Sequence, residues 1–332
     1  MNAPNNTPRK KRDPRNGLRM SATFATIFTV LGHTVFGFEQ SVAQVFVAVG
    51  AGYAFALLFE WVDARANGMR PNFLGGGVLK FVDFLLPAHM TSITLSFLLY
   101  FNQRLWIVVL TVAVALGSKY VLRVRQNGRL QHFMNPSNMG IAVALYFFQW
   151  TGALPWAYTI NLHNVWDWLV PLIIVVLGFR LNLLFTGRLP TVAAWLGTFF
   201  VFGVIRGYIQ GTPIGTQLIV LTGIPNILFT FYMITDPQTS PWRLRSQILF
   251  GSGIAFAYFV LLSLHIQYMM FYSVTAICAT RGLGIFALNL RETYLKRVAE
   301  SVVVIGEGEP QTIKGITPLP VPKTQEAFIR ND

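Results

Sequence analysis

Apolar residues in this chain fall in long blocks separated by short polar breaks. Blocks close to the roughly 20 residues that cross a hydrocarbon core lie at about 20–37, 43–61, 82–101, 105–122, 138–151, 166–184, 191–210, 216–234, 247–267 and 270–290. The pattern predicts an all-α polytopic membrane protein with about ten transmembrane helices. The fifth block is short and begins just after Pro136, and the eighth carries a Pro225-Asn226 interruption. An apolar, glycine-rich lead from Leu74 to Phe81 before the third block suits a re-entrant or tilted piece.

Cations collect in cytoplasmic loops, so their distribution tests the count. With the N-terminus inside, Arg65 and Arg70, the group Lys119, Arg123, Arg125 and Arg129, then Arg180 and Arg188, Arg243 and Arg245, and the cations after Leu290 all share one side. Only Arg104 falls in a loop on the other, while Lys80, Arg206 and Arg281 lie within or at the edge of blocks. The expected location is a bacterial-type inner membrane with both termini cytoplasmic. Ten spans divide into residues 20–151 and 166–290, joined by an external linker at 152–165, with a basic tail at 1–19 and a cytosolic tail at 291–332. Five spans per set would make the sets inverted repeats, a construction that places sites near the midplane where helices are interrupted. This expectation comes from topology, because the two sets share no convincing residue-level similarity. In the C-terminal tail Val302 to Ile305 is the one strand-like run.

Composition narrows the function classes. Of 332 residues 53% are apolar and 12% charged, which excludes an ordinary soluble domain. The net charge of +13 lies between apolar blocks rather than on a patterned surface, which argues against nucleic acid as a partner and for the lipid bilayer. The single cysteine, Cys278, excludes disulfides and cysteine-ligated zinc or iron–sulfur centres within the chain. His33, His89, His132, His163 and His265 are scattered, with no pair at helical ligand spacing, so neither haem nor metal is predicted. No dinucleotide fingerprint, phosphate loop or Ser/His/Asp arrangement occurs in a suitable setting. The first apolar block lacks a following cleavage site and reads as a retained span.

Chemistry is concentrated where polar residues meet the ends of apolar blocks. Asn135-Pro136-Ser137-Asn138-Met139-Gly140 starts the short fifth block with a proline at a helix start and three capping side chains. An ordinary capped helix and a discontinuous helix lining a cavity both fit. Thr235-Asp236-Pro237-Gln238-Thr239-Ser240-Pro241 reads either as a plain turn or as a polar ligand site, and Asp236 has few rival acids within the apolar region. Lys80 and Asp83 are spaced to pair on one helix face, with His89 deeper in the same block. Arg281 near the middle of the tenth block must face protein, water or an anion. An ion pair with Asp83 or Glu60 and a functional role fit it equally.

Taken in order, Leu85-Leu86-Pro87-Ala88-His89, the Asn135 to Gly140 string, Thr186-Gly187-Arg188-Leu189-Pro190 and the Thr235 to Pro241 string resemble the NqrB/RnfD family of membrane electron-transport subunits. The similarity is greatest to its stand-alone UnbU-like branch, associated with enediyne biosynthesis, and covers residues 20–290. The resemblance implies two inverted five-helix repeats in a urea-transporter-like fold, other membrane or redox subunits as partners, and at most an electron-transferring role within an oxidoreductase complex. It further implies a flavin or quinone, with ion movement coupled to electron transfer. Members hold FMN on a threonine in an Asp-x-x-Ser-Gly-Ala-Thr-like motif. Here the nearest strings, Ser21-Ala22-Thr23 and Cys278-Ala279-Thr280, lack the acid and the Ser-Gly pair, so no covalent FMN is expected. The expected cofactor is a non-covalent flavin, riboflavin or FMN, or a quinone. Its candidate ligands are Asn135, Pro136, Ser137, Asn138, Gly140, Asp236, Thr239 and Ser240, with Lys80, Asp83, His89 and Arg281 as ion-pair or pathway residues. Transport without redox chemistry and a scaffolding role in a larger assembly stand as the other readings.

Overall fold

The computed structural model describes residues 14–126, 128–153 and 164–306. The chain forms two units, Met1–Phe286 and Ala287–Asp332. In the first unit α1 (Pro14–Leu31), α2 (Val42–Ala66), α3 (Gly77–Leu98) and α4 (Leu105–Val121) precede a hairpin of β1 (Arg123–Gln126) and β2 (Arg129–His132) and the short α5 (Pro136–Phe147). Then follow α6 (Trp166–Leu181), α7 (Leu189–Gln210), α8 (Ile214–Leu218), α9 (Ile224–Leu228), α10 (Leu244–Ser263) and α11 (Met269–Gly306), which begins in the first unit. A helical segment stands at every one of the ten apolar blocks. Among the described residues six helices have the length and apolarity to cross a membrane, and a bent pair makes a seventh. Val78, Phe46, Ile209 and Leu249 point outward and exposed, as lipid-facing side chains do. The molecule is an all-α, multi-pass membrane protein.

Close packing follows from small side chains. On α2 every fourth residue is buried, and Ala48, Gly52, Ala56 and Ala64 supply most of that stripe. A Cβ on Gly52 would overlap Ser92 Oγ of α3. Helices packed through small residues bring their backbones together, which favours association where no water drives burial. The second half repeats the device between α7 and α10, where a Cβ on Gly251 would overlap the Thr191 carbonyl oxygen. Beside that crossing Trp195, Phe199, Tyr258 and Phe259 form a buried aromatic cluster, and Trp195 Nε1 donates to Thr230 Oγ1 at 3.0 Å.

Two helices end alike. Below α1 the residues Gly32–Phe36, and below α6 the residues Asn182–Thr186, widen into a π turn closed by a left-handed glycine, Gly37 and Gly187. Glycine is required there because a side chain at positive φ would clash with the backbone. The eighth block is broken: Ile214–Thr222 and Ile224–Met233 meet at 67°. Pro225 in the first turn of α9 cannot continue a hydrogen-bonded helix from the preceding segment. Asn226 Nδ2 reaches back across the break to the Val220 carbonyl at 2.8 Å, which also accepts from the Gly223 backbone N–H at 3.3 Å.

Three expectations are corrected. Leu74 to Phe81 is a turn leading into the start of α3, with no re-entrant helix. The basic stretch after α4, read as a plain loop, is the β1–β2 hairpin. Val302 to Ile305 lies in α11 rather than in a strand, since branched residues continue an existing helix at small cost when no sheet partner is at hand. In the second unit α11 exposes Arg291, Lys296 and Arg297. The aromatic and amide residues of the linker from Trp156 to His163, and the tails 1–13 and 307–332, lie outside the described residues.

Candidate functional site

The Asn-Pro string caps α5 and ties the two halves together. Asn135 Oδ1 accepts from the Asn138 backbone N–H at 3.0 Å, and Pro136 occupies a first-turn position where a missing N–H does no harm. Both amides then reach across. Asn135 Nδ2 donates to the Met233 carbonyl at 3.1 Å, and Asn138 Nδ2 to the Phe271 carbonyl at 3.0 Å and Thr275 Oγ1 at 2.8 Å. Met233 ends the broken span, where helix carbonyls lack a partner of their own, whereas Phe271 lies in the first turn of α11 and its carbonyl also accepts from Thr275 Oγ1 at 2.9 Å.

The Asp-Pro string after the broken span is organised differently. Asp236 Oδ2 accepts from Thr239 Oγ1 at 2.9 Å, and the Asp236 carbonyl accepts from Ser240 N and Oγ at 2.9 and 2.6 Å. Its outward carbonyls are taken by two arginines from distant elements. Arg188 Nη2 donates to Pro237 and Ser240 carbonyls at 3.2 and 3.1 Å, and Arg281 Nη1 donates to the Thr239 carbonyl at 2.8 Å. Arg188 is 0% exposed and its Cζ sits 3.9 Å from the Trp242 ring centroid, a cation–π contact strengthened by desolvation. Burial pushes Arg188 down to about 10, partly offset by Asp236, so it stays charged at neutral pH.

Both strings open on one cavity of about 1080 Å³ within the first unit. Asn135, Pro136 and Ser137 face it from the first half, and Thr235, Asp236, Pro237 and Gln238 from the second. Its walls are aromatic, with Phe24, Phe84, Phe185, Phe229, Tyr232 and Trp242 among them. Lys119 and His132 add polar groups from α4 and β2. Burial holds His132 down at about 4, with Asp236 opposing and Lys119 and Arg123 reinforcing the shift, so its imidazole is neutral near pH 7. Of the remaining candidates Asn138, Gly140, Thr239 and Ser240 lie behind the wall: Asn138 is buried against α11 and Gly140 against Thr111 and Ala115 of α4.

The pathway candidates do not come together. Lys80 is exposed and does not pair with Asp83, which instead takes a two-pronged bond from Arg19 at 2.8 and 2.6 Å. A guanidinium fork on a carboxylate outcompetes a lysine one turn away. Arg281 pairs with neither Asp83 nor Glu60; besides Thr239 it meets Gln126 Oε1 at 3.3 Å, and Glu60 accepts from Asn72 and Tyr120. His89 bridges α1 and α2. Its Nδ1 is 2.9 Å from Tyr53 Oη and its Nε2 is 2.8 Å from Thr26 Oγ1. The Thr26 proton is committed to the Ala22 carbonyl, so Nε2 carries the hydrogen and Nδ1 accepts from Tyr53. Among the described residues no group of three or more His, Cys, Asp or Glu could hold a metal ion.

Arg188, Lys119 and His132 are the site residues that the sequence reading passes over. No protein-family model matches the chain, and no curated protein matches it.

Proposed function

We propose that the chain is an integral membrane subunit of an electron-transport system of the NqrB/RnfD kind, holding a non-covalent flavin or quinone in the cavity between its halves. The observation that carries the reading is the cavity itself: aromatic walls fit a planar ring system, and both Pro-containing polar strings reach the same space. Ring edges in such ligands need hydrogen-bond donors and acceptors, and Ser137, Gln238, Asp236 and the His132 ring supply both kinds at the wall. Ten crossings in two inverted five-helix sets, with both termini on the cytoplasmic side of a bacterial inner membrane and other redox subunits as partners, complete the proposal. Its support is the matching π turns below α1 and α6, each closed by a left-handed glycine four residues before Ser41-Val42-Ala43 and Thr191-Val192-Ala193.

The test is an absorption spectrum of the purified protein, followed by denaturation and acid extraction. Flavin or quinone recovered in the extract, with a protein band that shows no in-gel flavin fluorescence, is the expected result. A fluorescent band lost on Thr23→Ala or Thr280→Ala overturns the non-covalent part. A colourless protein without extractable cofactor moves the assignment to small-solute transport, for which the 67° break beside the cavity is the favourable observation.

A further inference from the structure

Charge along the cavity is not balanced. Its lining carries Glu60, Asp63, Asp83 and Asp236 against Arg15, Lys119 and Arg123. Three of these acids face a cation: Asp63 pairs with Arg123 at 2.9 Å, Asp83 with Arg19 at 2.6 Å, and Asp236 acts electrostatically on Lys119 and Arg188. Glu60 differs from them. It lies on α2, is 8% exposed, and accepts only from neutral groups: the Asn72 backbone N–H at 3.0 Å, Asn72 Nδ2 at 2.6 Å and Tyr120 Oη at 3.2 Å. Three donors reach its two oxygens, which is how an ionised carboxylate is held. A buried charge is normally matched by an opposite one, and the open side of Glu60 is the cavity.

We propose that Glu60 holds the ammonium end of a small organic amine inside the cavity. The class of cation follows from the rest of the wall. A hard inorganic cation takes about six oxygen ligands, whereas among the described residues no three acids or histidines gather at one point. A substituted ammonium needs one carboxylate and aromatic faces to lie against. Both are present: Tyr120 is bonded to Glu60, and Phe84 packs on Phe73, the neighbour of Asn72, with Tyr120 and Phe84 lining the cavity. A volume of about 1080 Å³ stands at the top of the range for one drug-sized ligand, roughly 300–1,000 Å³, which leaves room for a small amine beside a ring system. The inference goes beyond the flavin or quinone reading and uses only the cavity.

Benzylamine, a cation at neutral pH, and benzyl alcohol, its neutral counterpart of similar shape, serve as probes. Full-length protein in phosphatidylcholine nanodiscs is titrated calorimetrically with each, and the heat of empty nanodiscs is subtracted. Benzylamine is expected to bind at least about ten-fold more tightly, a preference that Glu60→Gln abolishes and Asp236→Asn retains. A preference that survives Glu60→Gln overturns the assignment to Glu60. Displacement of benzylamine by sodium chloride, at concentrations where potassium chloride leaves it bound, overturns the organic class in favour of an inorganic ion. Equal binding of amine and alcohol, or binding of neither by a protein that melts cooperatively, overturns the ammonium site. Flavin and quinone are extracted from the same preparation, so failure of one reading is not mistaken for failure of the other. The wild-type ratio decides the matter even where Glu60→Gln fails to fold.

Discussion

The Asn135 to Gly140 and Thr235 to Ser240 strings look interchangeable as text, yet the fold uses them in opposite senses. In the first, side-chain amides reach outward and spend their donors on carbonyls of the other half. In the second, side chains close on their own turn while the backbone carbonyls receive arginines from α11 and from the residue before α7. The first is a neutral strut between halves; the second is a charged platform. Polarity next to proline marks a helix end, but which partner it finds is settled by segments between 42 and 133 residues away in sequence.

Exchanging acid and amide separates the two roles most sharply. Asn138→Asp removes the donor to Phe271 and Thr275 and sets a buried carboxylate against a carbonyl oxygen, at an expected cost of about 3–5 kcal/mol. Asp236→Asn keeps an acceptor for Thr239 Oγ1 but removes the charge that faces Arg188 and Lys119, and is expected to cost about 1–2 kcal/mol. Detergent melting curves of the two variants check this, and equal losses would show that the strings are equivalent after all.

The helices were legible because apolar blocks of membrane length leave little choice, and each of the ten blocks holds helical residues. Pro225 likewise announced the break in the eighth. The β1–β2 hairpin was also there to be found: Asn127-Gly128 between Gln126 and Arg129 is a strong two-residue turn signal, and Gly128 has φ +75°. Charge counting absorbed that stretch as a basic loop. Counting also hid Arg188, assigned with Arg180 to a cytoplasmic loop, although it is buried against Trp242. Side-chain pairing was legible only at short range, so Lys80–Asp83 was read where Arg19, 64 residues distant in sequence, takes the carboxylate. Both failures share a cause: helical spacing reports one helix's own face, and long-range partners leave no mark on it.

The two halves can be compared at a single methyl group. Gly251 lies on α10 under the Thr191 backbone, which cannot yield without moving α7, whereas a Cβ on Gly253 would meet only the Ile277 side chain at 3.3 Å. Gly251→Ala is expected to destabilise by about 1–3 kcal/mol, and Gly253→Ala by less than about 0.5 kcal/mol. Gly52→Ala in the first half meets the rotatable Ser92 hydroxyl and should fall between them. A reversed order in melting temperature would mean that the α7–α10 crossing is not the tighter one.

The effect confined to acid pH concerns the platform's titration. His132 is neutral in the folded protein because burial holds its imidazole at about 4, against 6.5 when free, with Asp236 favouring the proton and Lys119 and Arg123 opposing it. Above pH 6.5 both folded and unfolded chains carry a neutral ring, and this contribution to stability is complete. As pH falls from 6.5 toward 4 the unfolded chain takes up the proton first, so stability is lost across that window. The full shift corresponds to about 3 kcal/mol, and screening at a ring with some solvent access reduces it to about 1–2 kcal/mol. His132→Gln, which cannot titrate, should flatten the melting temperature between pH 6.5 and 4 relative to wild type. The charge on Lys119 is constant over that range, so a slope that persists in His132→Gln would place the titrating group elsewhere on the wall and remove His132 from the platform.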